Sequence, residues 1–192
     1  VQGTTNAIVT RWNTLYAKYE AVFDGTNFFY VPYTKEDAIG NAMQGMFSME
    51  ILFSPDGGVN PFSSMESGGL GYEMTSDNKL AFYYRANNKW VLPNNNFQIP
   101  IQVGQNAYYH AVVTYNKTTF RMYLNGNKVK EMKVSGSFNF PQKNQAPDYL
   151  MGIGGDYRDV VIPSIQNSFI GKIVYARLYK GVLSESDVKK MN

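Results

Sequence analysis

Hydrophobic and polar residues alternate with a two-residue period along most of this chain, which predicts strands far more often than helices. The clearest run is Tyr108 to Asn127. There Phe120, Met122 and Leu124 fall on one face and Arg121 and Tyr123 on the other, while Asn125-Gly126 supplies the positive φ angles that a two-residue type I′ turn requires. A third strand, Lys128 to Lys133, is expected to fold straight back.

The same pattern predicts a strand at Val22-Phe23, a bend at Asp24-Gly25-Thr26-Asn27 and a short strand from Phe28 to Pro32. Phe47 to Phe53 reads as a strand closed by Ser54-Pro55-Asp56-Gly57-Gly58. The Gly68-Gly69-Leu70-Gly71 turn leads into Tyr72-Glu73-Met74, and Asp77-Asn78 turns the chain into Lys79 to Arg85. Asn94-Asn95-Asn96 and the stretch from Ser135 to Pro147 read as loops. A late strand covers Gly171 to Tyr179, after which Ser184 and Asp187 form a capping-box-like start to a short helix, Glu185 to Met191.

Besides this closing helix, the beginning departs from the strand pattern. Ile8, Trp12, Leu15, Tyr16 and Tyr19 recur at helical spacing, with Thr5 or Asn6 as N-cap, and predict an amphipathic helix over about residues 7–20. That helix either packs across an open edge of the sheets or docks a neighbouring domain. The chain is thereby divided into a helical extension, residues 1–20, and one domain, residues 21–192. Many short strands with turns between them and no alternating helices predict an all-β, antiparallel two-sheet sandwich with short N- and C-terminal helices.

Composition narrows the function classes. Of 192 residues, 15% are aromatic, with 15 Tyr and 12 Phe, a share that suits pleated surfaces and polar recognition. The formal charge is +3 and the Lys and Arg are scattered, so the electrostatic footprint of a nucleic-acid binder is missing. Zero cysteines exclude a disulfide framework, a thiolate zinc site and a cysteine nucleophile, without choosing a compartment. No apolar run approaches the roughly 20 residues of a membrane span, and no signal peptide is visible. The start at Val1 reads as that of a processed chain or a piece of a longer protein.

Several segments, in order, resemble the laminin-G-like branch of the concanavalin A-like lectin/glucanase superfamily. They are Val22-Phe23-Asp24-Gly25-Thr26-Asn27 with Phe29-Tyr30-Val31-Pro32; Phe47 to Pro55; Gly69 to Met74 with Lys79 to Tyr84; the His110 strand with its Tyr115-Asn116-Lys117-Thr118-Thr119 turn and Leu124-Asn125-Gly126; and Phe169 to Ile173 through Arg177-Leu178-Tyr179 to Ser184. The resemblance implies a jelly roll of two antiparallel sheets. It also implies an exported, bacterial-type multidomain context, whether periplasmic, cell-surface or secreted. It does not imply one function, since such folds host lectins, carbohydrate-binding modules, adhesive modules and hydrolases.

Hydrolases of this fold carry a catalytic strand with closely spaced carboxylates, because a retaining mechanism needs two about 5–5.5 Å apart. Here Glu50 has no partner carboxylate two or four positions on, and Glu73 is followed by Met74, Thr75 and Ser76. His110 is the only histidine, excluding a multi-His metal site, and reads as a scaffold or rim residue. The glycine cluster lacks the Lys-Ser/Thr of a phosphate loop. Laminin-G-like domains often hold one calcium ion, for which Asp24, Asn27 and Asp156 are the loop oxygen donors. Against it, Val174-Tyr175 replaces the family's frequent acidic pair, and the competing reading makes Asp24 and Asp156 turn residues bonded to nearby backbone amides.

For a ligand, alternation sets Tyr83 and Arg85 opposite Phe82 and Tyr84, and Arg121 and Tyr123 opposite Met122 and Leu124. These four are expected on one outward sheet face, with Trp90 near a loop as a stacking platform, and the five together are the candidate recognition residues. The competing reading is an ordinary solvated face with Trp90 plugging the sandwich end. The sequence thus points to a non-catalytic carbohydrate-binding or adhesive module of a larger exported protein, taking a carbohydrate or glycoconjugate. The alternatives are a ligand-free accessory domain packed on a hydrolase catalytic domain and a divergent glycoside hydrolase.

Overall fold

Alternating aromatic and aliphatic residues build two antiparallel sheets whose apolar faces meet in a single layer of rings. The computed structural model describes residues 2–3, 9–64, 69–87, 89–91, 97–134, 140, 149–159 and 164–191. In chain order the first elements are β1 (Gln2–Gly3), β2 (Val9–Asn13), β3 (Lys18–Asp24), β4 (Phe29–Tyr33), α1 (Ala38–Met43), β5 (Phe47–Gly58), β6 (Phe62–Ser63), β7 (Leu70–Met74), β8 (Lys79–Ala86) and β9 (Lys89–Val91). There follow β10 (Gln98–Pro100), β11 (Tyr109–Tyr115), β12 (Thr119–Leu124), β13 (Asn127–Lys133), β14 (Tyr149–Ile153), β15 (Asp156–Asp159), β16 (Ser164–Gln166), β17 (Phe169–Lys180) and α2 (Glu185–Met191).

One sheet has seven strands in the order β13-β12-β11-β5-β17-β3-β2. The other has eight, β1-β4-β14-β6-β7-β8-β10 with β9 also paired to β8, and β15 and β16 form a separate pair. Every pairing is antiparallel, which confirms the jelly-roll sandwich. The opening hairpin is as expected: Asn125 (φ 48°) and Gly126 (φ 76°) make its turn, and β12 pairs with both β11 and β13. The closing helix is also as expected, with Ser184 Oγ accepting from the Asp187 amide (3.1 Å) while Asp187 Oδ2 accepts from the Ser184 amide (3.0 Å). The short α1, which sequence periodicity does not reveal, is started by Asp37 accepting from the Gly40 amide at 2.9 Å.

The N-terminal helix is a correction. Residues 9–20 are β2, a turn and the start of β3, and this hairpin extends the seven-stranded sheet beyond β17. In a tight hairpin two residues seven positions apart face each other across the strands, as Trp12 and Tyr19 do here, and that separation also equals two helical turns. The turn chemistry decides between the two. Asn13 Oδ1 accepts from the amides of Leu15 (3.0 Å) and Tyr16 (3.2 Å), and Ala17 takes a φ of 49°, which ends any helix and reverses the chain. Thr5, Asn6, Ile8, Gly68 and Asn94-Asn95-Asn96 lie outside the described residues, as does Ser135 to Pro147 apart from Phe140.

Phe120 joins the two sheets. Its ring lies 4.6 Å from Tyr115 in its own sheet, and 4.6 Å from Tyr84 and 5.5 Å from Phe82 in the opposite one, with no exposure to solvent. Phe120→Ala is expected to destabilise the fold by about 3 to 5 kcal/mol, from lost transfer energy and the cavity left behind. Urea unfolding should show a lower midpoint with an unchanged slope; a loss under about 1 kcal/mol would contradict the placement of this ring.

Candidate ligand-binding face

A bulge in β17 creates the chemistry of this face. Ile173 pairs with Phe53 and Tyr175 with Leu52, so Val174 is the extra residue. Strict alternation would put Tyr175, Arg177 and Tyr179 on the same side as Ile173, in the core. The inserted residue instead turns all three to the outer face of the seven-stranded sheet, beside Glu50 of β5 and His110 of β11.

These groups converge on Glu50, which is wholly buried. One carboxylate oxygen lies 2.8 Å from His110 Nε2; the other accepts from Tyr179 Oη at 2.5 Å and from Arg177 Nη1 at 3.3 Å. Burial alone would raise the Glu50 carboxyl, but the His110 and Tyr179 hydrogen bonds and the nearby charges outweigh it and bring the group down to about 2. The Arg177 guanidinium also stacks 4.1 Å from the centre of the Tyr175 ring.

A second buried carboxylate lies on the same face two strands away. Glu20 of β3 is 1% exposed and accepts from Tyr108 Oη (2.6 Å), from Asn13 Nδ2 (2.7 Å) and from the Arg11 guanidinium. Burial opposes its ionised form, and the three donors together still hold Glu20 below its usual range. Burial and the Glu20 contact push the Tyr108 phenol up to about 12. Beside this cluster runs a groove of about 390 Å³ lined by Arg11, Trp12, Asn13, Glu20, Asn106 and Tyr108. Trp12 alternates to the opposite side of β2 from Arg11 and Asn13, yet β2 is the edge strand, so the residue still borders the groove, 53% exposed and edge-on to Tyr19. Lys172 bonds to the Asn106 side chain and fixes the opposite rim.

None of the five recognition residues expected from sequence lines this groove, and they do not share one face. Tyr83, Arg85 and Trp90 do come together on the outer side of the eight-stranded sheet, where Arg85 pairs across strands with Trp90, which is 41% exposed. Tyr83 there meets Glu73. Arg121 and Tyr123 belong to the other sheet. Tyr123 is only 4% exposed because Leu183, just before α2, and Val188, within it, pack over it and Val112, and Arg121 is paired with Glu131 at 2.8 Å. The groove residues went unseen because a helical reading of residues 7–20 separates Arg11, Asn13 and Glu20, which the hairpin brings together.

The proposed ion donors are engaged by their own neighbours. Asp24 Oδ1 accepts from the Thr26 amide (2.8 Å) and hydroxyl (2.7 Å), while Asn27 accepts from the Asp24 amide and donates to the Val22 carbonyl. Asp156 is buried beside the other sheet and accepts from Ser63. Calcium wants six to eight oxygens in one shell. Asp24 Oδ1 and Asn27 are committed to their own turn and Asp156 to Ser63, so these side chains serve as turn and packing groups in place of an ion shell. His110, as expected, is a scaffold residue bonded to Glu50.

Two outcomes follow. Glu50 has a folded-state value depressed below its ordinary 4.5, so the stability it contributes is present above about pH 4.5 and disappears as pH falls toward about 2. In denaturant titrations across that window, Glu50→Gln should flatten the acid loss of stability; an unchanged slope would contradict the ionised Glu50 cluster. Calcium or a chelator should leave the melting midpoint within about 1 °C, and a larger rise with calcium would contradict the assignment of Asp24 and Asn27 to a turn.

Comparison with known proteins places this geometry. No curated protein sequence matches the chain. The binding domain of botulinum neurotoxin DC, solved in complex with SialylT, superposes with a TM-score of 0.68 at 16% identity over 99% of this chain and 45% of that one. The same domain in complex with rat synaptotagmin II gives 0.66 at 16% identity, covering 96% and 44%. This chain therefore spans less than half of those toxin domains. Domain 4 of AbnA, a GH43 extracellular arabinanase from Geobacillus stearothermophilus, in complex with arabinotriose, gives 0.65 at 16% identity, covering 98% of this chain and 87% of that one. At such identities the likeness is one of fold. A laminin-G-type family model, described as the concanavalin A-like lectin/glucanases superfamily, matches residues 44–189, and the chain belongs to that superfamily.

Proposed function

We propose that this protein is a non-catalytic carbohydrate-binding module whose ligand lies in the groove between the β2–β3 hairpin and Tyr108. The observation that carries the reading is the Glu20 cluster: a carboxylate, an amide, a guanidinium and a phenol locked together beside an exposed indole. Sugars are held by fixed polar groups that meet their hydroxyls and by aromatic surface that meets their C–H faces. Such a site needs little reorganisation on binding, because its donors and acceptors are already fixed by one another. The similarity to an arabinanase domain solved with arabinotriose and to a toxin domain solved with SialylT supports the same class of ligand. A place in a larger exported protein, outside the cell or on its surface and beside a catalytic domain, accords with those neighbours.

The buried carboxylates support the absence of catalysis. A retaining glycosidase needs one carboxyl kept protonated and a second nearby as nucleophile. Glu20 and Glu50 are both held ionised by cations and hydroxyls. Glu73 is raised by burial, but it sits in the other sheet, bonded to Tyr83.

One observation favours a second reading, an accessory domain packed on a neighbour: Val9, Leu15 and Tyr19 join Trp12 as large exposed apolar side chains on one hairpin. Affinity electrophoresis in gels containing arabinan, xylan, β-glucan or mannan separates the two. At least one polysaccharide is expected to retain the protein, with retention weakened about tenfold or more by Trp12→Ala and unchanged by Trp90→Ala. Absence of retention on every gel favours the accessory reading. Loss with Trp90→Ala but not Trp12→Ala moves the site to the other sheet.

A further inference from the structure

The polar groups that line the groove differ in what they still have to offer a ligand. Glu20 accepts from Arg11, Asn13 and Tyr108 and is 1% exposed, so its carboxylate faces its own donors and not the opening. Asn13 Oδ1 is taken by the amides of Leu15 and Tyr16, and its Nδ2 by Glu20. Lys172 orients Asn106. An ammonium can only donate, so the Asn106 amide oxygen turns toward it and the two Nδ2 hydrogens are left over.

Donors therefore remain where acceptors do not. Arg11 carries five N–H groups and gives Nε to Glu20, and its side chain is 52% exposed. Among the side chains lining the groove, only the hydroxyls of Thr14 and Tyr108 are left to accept as well. Charge is sorted by depth in the same sense. The anion of the Arg11–Glu20 pair lies at the bottom and its cation at the opening, while Lys172 is 7% exposed and faces Asp56, at 3.8 Å, away from the residues that line the groove. The charge that a ligand meets is the Arg11 guanidinium. A neutral sugar hydroxyl brings a hydrogen for which this lining has few acceptors, whereas a carboxylate or sulfate only accepts and forms the stronger, charge-assisted bond.

We propose that the groove selects acidic saccharides, with the Arg11 guanidinium donating to a ligand carboxylate or sulfate, the Asn106 amide donating to further ligand oxygens and the Trp12 indole meeting the sugar's C–H face. Glu20, Asn13 and Tyr108 hold Arg11 in place and take no ligand hydrogen of their own through the carboxylate. Neutral saccharides enter the same groove and are held more weakly. The inference rests on the groove reading above and adds the charge of the ligand to it.

The chain has two tryptophans, so a Trp90→Phe background leaves Trp12 as the fluorescent reporter of the groove. Oligosaccharides of polygalacturonate, glucuronoxylan and hyaluronate are titrated beside their carboxyl-reduced forms, and those of carrageenan beside the desulfated form. At least one acidic member is expected to bind about tenfold or more tighter than its neutral counterpart, the ratio shrinking as sodium chloride is raised. A ratio in the carboxyl pairs identifies uronic acids as the source, and one in the carrageenan pair identifies sulfated sugars. Arg11→Gln should bring the ratio to about one. Lys133→Gln, which removes the same charge from β13 at the opposite edge of the sheet, should leave it unchanged. Equal binding within every pair overturns the acid preference and leaves the groove reading standing. A ratio that survives Arg11→Gln also overturns it, as does one that falls as far with Lys133→Gln, which marks general attraction of a polyanion. Silence of Trp12 with every member, acidic and neutral, removes the groove reading and this inference with it.

Discussion

A buried carboxylate must be met by donors on its own side of the sheet, and in this protein that requirement is met by one inserted residue. Val174 shifts the alternation of β17, so that Tyr175, Arg177 and Tyr179 reach the side where Glu50 and His110 stand. Without the shift the polar groups of β17 would enter the ring layer between the sheets, and Glu50 would keep His110 as its sole partner. The bulge therefore serves two layers at once. It gives the core Ala176 and Leu178, and it gives the outer face a satisfied ion cluster.

The outer face then divides by how it is covered. At one end α2 and the residues leading into it lay Val188 and Leu183 over Val112 and Tyr123 and close the surface. At the other end the cover is a loop and a turn, carrying Tyr108 and Tyr16, and cover of that kind leaves openings. The groove is such an opening, and it has an ionised glutamate, Glu20, behind it. The proposed binding groove lies where the sandwich is roofed by loops, and packing lies where it is roofed by helix, as loop-borne function on a rigid scaffold leads one to expect.

How much of this the sequence discloses depends on whether the information is local. The β11–β13 hairpin is legible because Asn125-Gly126 and an unbroken two-residue period specify it within a few residues. The closing helix is legible because Ser184 and Asp187 cap each other. The β2–β3 hairpin is not, since Trp12 and Tyr19 satisfy helical and hairpin geometry equally, and only the Asn13 turn and the φ of Ala17 break the tie. Tyr123 looks like a recognition residue by alternation, which says which face a side chain takes but nothing about a helix arriving from sixty residues later. The groove, assembled from β2, β3 and the loop before β11, has no local signature, and neither has the bulge that places Arg177 against Glu50.

The central claim is that ligand meets the seven-stranded sheet at its β2–β3 end. Backbone amide shift mapping with a soluble oligosaccharide of whichever polysaccharide retains the protein tests this most directly. The account predicts that the perturbed amides cluster at Arg11–Asn13, Glu20 and Asn106–Tyr108, the rim of the groove. Perturbations confined to Tyr83, Arg85 and Trp90, on the outer side of the opposite sheet, would contradict it.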